Sequence, residues 1–151
     1  MTLFETLQRL LSGLDDGGGH REDPAYALAV LLIETARSDD RVETREKRII
    51  GRVLARRFGL TPDEISELVG AAEQGARQAV DLYHFTRVVV ENFTEAERVG
   101  VIEMLWEVAL ADGELTGDED ALIRRVAGLI FVSDRDRGEA RRRARERLAG
   151  K

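Results

Sequence analysis

Two sets of carboxylates stand at one spacing in this chain: Glu34, Asp39 and Glu46, then Glu107, Asp112 and Glu119. In each set the first acid closes an apolar run, the second falls in a short polar stretch, and the third opens the next run. Three carboxylates gathered at one corner repel one another unless arginines, protonation or a cation offset the charge. Oxygen ligands with no thiolate or imidazole among them suit a hard cation such as Ca²⁺ or Mg²⁺. The second set is the purer one and the better candidate for a cation. From Glu107 to Ile123, "EVALADGELTGDEDALI" holds six carboxylates and no Lys, Arg or His. In the first set Arg37, Arg41 and Arg45 stand among the acids and offer local salt bridges. Neither set is an EF-hand: counting Asp112 as position 1, position 12 is Ile123, where a bidentate Glu is required.

Ordinary structure accounts for part of the pattern. Thr116 and Glu119 have the spacing of a capping box, Asp112-Gly113 that of a tight turn, and the remaining acids can be solvated. Glu34 and Glu107 resist that account. Both fall in the last turn of an expected helix, where the negative end of the helix dipole disfavours a carboxylate by about 0.3–1 kcal/mol.

The elements that must position these acids read as helices throughout. Pro24 and Pro62 stand as helix starters, and capping boxes recur at Thr61/Glu64, Thr94/Glu97 and Thr116/Glu119. Gly59 after "ARRF" reads as a helix C-cap. No period-two run is bounded by hairpin signals, and "RVVVENF" is flanked by helical pattern. Helices are expected near 2–13, 24–37, 45–58, 62–74, 77–92, 95–110, 117–131 and 134–148. Shifted by 73 residues, the chain matches itself in E-x-A-x-x-D-x-x-[VL]-x-x-x-E-x-x-[IL]-I. The expected fold is therefore a single all-α bundle of seven to eight helices with an internal pseudo-twofold duplication. A helix and flexible linker over 1–23 precede the main helical domain at 24–151, with halves near 1–75 and 76–148. "AYALAVLLI" and "VGVIEMLWEVALA", apolar nearly all round, belong at the centre. Trp106, Met104, Phe58 and Phe131 read as core.

Composition narrows the function. With 151 residues and 43% hydrophobic content, one domain can bury a core. No cysteine is present, which excludes disulfides and thiolate metal sites and fits a reducing compartment. The nine-residue apolar run Ala25 to Ile33 is far short of the roughly 20 a membrane span needs. No basic n-region opens the chain, so a cytoplasmic protein is expected. Net charge is -6, but residues 134–151 carry eight Lys/Arg against four Asp/Glu, leaving about -10 on the rest. An acidic body repels phosphates, so nucleic acid is not an expected partner. The arginine-rich tail reads as a helix pairing with acids of the domain or of a neighbour, the alternative being a surface for anionic membrane or nucleic acid. Four serines and two isolated histidines, His20 and His84, nominate no nucleophile–base pair, so no enzyme activity is expected.

"ETARSDDRVETREKRII" and "EVALADGELTGDEDALIRRVAGLI" resemble the two acidic motifs of the TerB-like family, the tellurite resistance protein B group. The linker "AVDLYHFTRVVVENFTEAER" is similar to that of its short, stand-alone bacterial members. The resemblance covers roughly residues 24–148. It implies an all-helical bundle, an acidic cluster binding a divalent metal, and a role in bacterial stress response. Other tellurite-resistance or membrane-associated proteins are the partners it implies, and it leaves oligomeric state open. Carried over by position, the family's acids fall on Glu34, Asp39, Glu46, Glu107, Asp112 and Glu119. The first motif departs from the pattern at Asp40, which stands where the family has Gly. The rival expectation is a helical adaptor whose acids meet a basic partner without metal.

Overall fold

The computed structural model describes residues 24–36, 44–78, 82–111 and 115–150, and these form seven α-helices with no strand among them. In chain order they are α1 (Pro24–Ala36), α2 (Thr44–Phe58), α3 (Pro62–Gln78), α4 (Leu82–Asn92), α5 (Glu95–Leu110), α6 (Gly117–Leu129) and α7 (Asp134–Ala149). The all-α expectation holds. The helix expected at 2–13 and the linker to residue 23 lie outside the described residues.

Two helices form the centre, as their composition requires. Every residue of α1 from Ala25 to Ile33 is buried, and so is every residue of α5 from Val101 to Ala109. A helix without a polar stripe has nothing to offer water and must be enclosed. α1 packs most extensively on α3, and α5 on α7, while α1 and α5 also meet each other. Because α1 corresponds to α5 and α3 to α7 in the repeat, the two halves use the same pairing. The cross contacts follow suit, α2 on α5 and α6 on α1. Close approach of α1 and α3 depends on a residue without a side chain: a Cβ at Gly75 would lie 1.5 Å from the Tyr26 hydroxyl. No described helix is long and apolar enough to cross a membrane.

Helix starts follow the sequence signals. Thr61 N–H donates to Glu64 Oε1 at 2.8 Å while Glu64 N–H donates to Thr61 Oγ1 at 3.2 Å. The same reciprocal box opens α5 at Thr94/Glu97 and α6 at Thr116/Glu119. The junction of the third and fourth of these helices differs from expectation: α3 runs on past Gly75 to Gln78, held by burial of Ala72 and Ala76 against the core, and α4 begins at Leu82 where 77 was expected.

Phe131 corrects the expected core. Trp106, Met104 and Phe58 are buried, but Phe131 is 72% exposed. The repeat slips by one residue at this point. α2 ends on Phe58, with Gly59 at φ 65°, whereas α6 caps on Ile130 and puts Phe131 at φ 61°. Val132 N–H donates to Ala127 O at 2.8 Å and Phe131 N–H to Gly128 O at 3.3 Å, the Schellman pattern. Ile130 takes the buried place of Phe58, and Phe131 the left-handed place of Gly59. Its side chain is thereby turned to solvent.

Candidate functional site

Glu103 and Glu107 lie one turn apart on α5 and therefore share a face. Both are buried, Glu107 fully at 0% exposure. The helix that covers them, α7, carries Arg143 and Arg147 at the same four-residue spacing. Arg143 Nε donates to Glu103 Oε1 at 2.5 Å, and Arg147 Nη1 to Glu103 Oε2 at 2.8 Å. Arg147 Nη1 also donates to Glu107 Oε1. From the other side, Arg56 Nη2 in the last turn of α2 reaches Glu107 Oε2 at 2.8 Å. Both oxygens of Glu107 are thus held by guanidinium donors from two different helices.

This arrangement resolves the conflict at the end of α5. The helix dipole and burial both work against a charge on Glu107, and a lone buried carboxylate costs several kcal/mol. Two guanidiniums supply the compensation and satisfy its hydrogen bonding. Burial works against the charge on Arg147 as well, but Glu107 and Glu103 outweigh it and raise the pKa of Arg147 above the ordinary arginine range. A third arginine joins the same two helices, with the Arg141 guanidinium 5.1 Å from the centroid of the Trp106 ring.

The six acids singled out by sequence meet different fates. Glu107 is buried within the arginine cluster. Glu119 Oε1 accepts from Thr116 N–H at 3.0 Å, so it closes the capping box of α6. Its neighbour Asp120 pairs with Arg124 at 3.2 Å, while Asp118 is exposed. Glu34 is half-buried at the end of α1. Glu46, in the first turn of α2, has one carboxylate oxygen shut off from solvent with no hydrogen-bond partner among the described residues. Asp39 and Asp112 lie outside the described residues. Among the described residues no group of three or more His, Asp or Glu is placed to hold a metal ion.

The residues from 25 to 142 match the family model of tellurite resistance protein TerB. The chain belongs to the TerB family. That membership connects this TerB domain with tellurite resistance. Neither a curated protein nor a solved structure matches the chain.

The TerB domain holds functional groups that reading the acids alone did not find: Glu103, Arg56, Arg143 and Arg147. A signal for them existed. Glu103 interrupts the apolar run "VIEMLWEV" one turn before Glu107, and "RRRARER" offers basic residues at the same period. The arginine-rich tail pairs with acids of its own domain, the first of the two readings its sequence allowed. His84 stacks edge-on against Phe85, ring centroids 5.3 Å apart, as a packing residue.

Proposed function

We propose that the chain is a non-catalytic binding module in tellurite resistance and the wider stress response, working in the cytoplasm and taking up a divalent cation, Ca²⁺ or Mg²⁺, at its acidic corners. The observation that carries this reading is Glu46. Its buried oxygen has no donor among the described residues; a carboxylate oxygen so placed costs about 1–3 kcal/mol, and a hard cation would offset that cost. Glu46 sits between the ends of the first motif, so support now favours that corner over the second. At the second corner a cation could use Glu107 only by displacing Arg56 and Arg147. Other tellurite-resistance or membrane-associated proteins are the partners this reading foresees.

Thermal unfolding of the full chain with CaCl₂, MgCl₂ or EDTA tests the cation. At a hundredfold excess over Kd, the ion should add about 2.7 kcal/mol of stability, and Glu46→Gln or Asp39→Asn should remove the gain. A wild-type melting curve indifferent to both ions would remove metal from the reading.

A second reading has its own support. Glu107 is already neutralised within the domain, and Asp118 is exposed with no ion pair among the described residues. An acidic surface meeting a basic partner needs no metal. Capture of such a partner that survives EDTA but is lost on Asp118→Lys would select the adaptor.

A further inference from the structure

We propose that the cavity between α2 and the C-terminal ends of α5 and α7 binds a small organic anion, a phosphate or carboxylate headgroup on an apolar body. The cavity measures about 330 Å³, at the lower end of the range for small-molecule pockets. Arg45, Arg52 and Arg56 of α2 line it. Their spacing of seven and four residues puts them on one helical face. Ile49 and Val53 fall between them on that face, and Leu148 of α7 stands among the lining residues too. Guanidinium forks suit the planar or tetrahedral oxygens of a carboxylate or phosphate, and the aliphatic side chains suit a hydrocarbon group.

The sign of the ligand follows from a charge count. Glu107 also lines the cavity, but its charge is already spent. In the cluster beneath, the guanidiniums of Arg56, Arg143 and Arg147 face the carboxylates of Glu103 and Glu107, three positive charges against two negative among these paired side chains of the described residues. Arg52 adds a further positive charge with no hydrogen bond or ion pair among the described residues. A low-dielectric wall with surplus charge of one sign concentrates ions of the other sign. The inference stands apart from the cation reading, which concerns Glu46 and the loop acids and would demand the opposite charge.

The test uses the full chain in EDTA at constant ionic strength, with phenyl phosphate, phenylacetate, inorganic phosphate and neutral benzyl alcohol as probes. Both aromatic anions should raise the melting temperature and shift the methyl resonances of Ile49, Val53 and Leu148. Their relative affinity decides between a phosphate and a carboxylate headgroup. Arg52→Ala changes an exposed side chain outside the buried cluster and should weaken binding by about tenfold. Arg52→Lys should keep part of the affinity, since charge remains without the fork. Benzyl alcohol binding as well as the anions would overturn the proposal, because the cavity would then be a mere apolar crevice. Inorganic phosphate matching phenyl phosphate, an unchanged Arg52→Ala, or silence from every probe at millimolar concentration would overturn it equally.

Discussion

Glu107 is a charge in a place where nothing local favours it. It faces the negative end of its own helix, sits at 0% exposure, and belongs to a stretch, Val101 to Ala109, whose only other charged side chain is Glu103. Its tolerance depends on two arginines 51 and 40 residues away in sequence. Breaking a buried pair from one side leaves uncompensated charge and costs about 3–5 kcal/mol. Here the stranded partners would be Arg56 and Arg147, whose side chains keep 31% and 34% of their surface in water, so the cost is lower. Glu107→Gln should destabilise the domain by about 2–3 kcal/mol in urea unfolding. Glu119→Ala, which loses only the return bond of a capping box, should cost about 1 kcal/mol or less. Equal midpoints for the two variants would mean that the arginine cluster contributes no more than a cap.

At the scale of elements, α6 and α2 are copies that end differently. α2 stops with glycine in the left-handed position, the residue that adopts it without steric cost. α6 puts Phe131 there, and a left-handed backbone costs an ordinary residue about 1–2 kcal/mol. Exposure means that the aromatic ring recovers little by burial. Phe131→Gly should therefore raise stability by about 1 kcal/mol, seen as a higher melting temperature. A fall in melting temperature would show that the ring is packed against something that its exposure does not suggest. The same comparison explains a misreading at this position. Aligned by residue type, Phe131 matches Phe58. Aligned by structure, it matches Gly59, and the Schellman hydrogen bonds decide the matter.

For the molecule as a whole, the duplication is a duplication of packing and not of chemistry. α3 covers α1 as α7 covers α5. Yet the positions matching Glu103, Arg143 and Arg147 in the first half, with the one-residue slip taken into account, are Val30, Ala71 and Gly75. The second half fastens its covering helix to its central helix with buried ion pairs, whereas Glu73 of α3 pairs with Lys47 of α2 at 2.8 Å. α7 has just Ala140 and Ala144 fully buried, so apolar burial alone holds it weakly. Its place depends on Arg143, Arg147 and the Arg141–Trp106 contact. A chain ended at Ser133 should lose its cooperative unfolding transition, because α5 would expose its apolar face together with two carboxylates stripped of the arginines of α7. A cooperative melt in that shortened chain would show that α7 is an appendage.

The fold class, most helix boundaries, the capping boxes and the repeat were set by local signals, since cap chemistry and apolar period act within a few residues. Family membership was legible on the same grounds, through the two acidic motifs. The fate of the acids was not. Whether Glu107 meets a cation or an arginine depends on which helix covers it, and Arg56 and Arg147 approach only after the chain has closed over long loops. A carboxylate's partner is chosen by distance in space, and sequence spacing reports that distance only along a single helix.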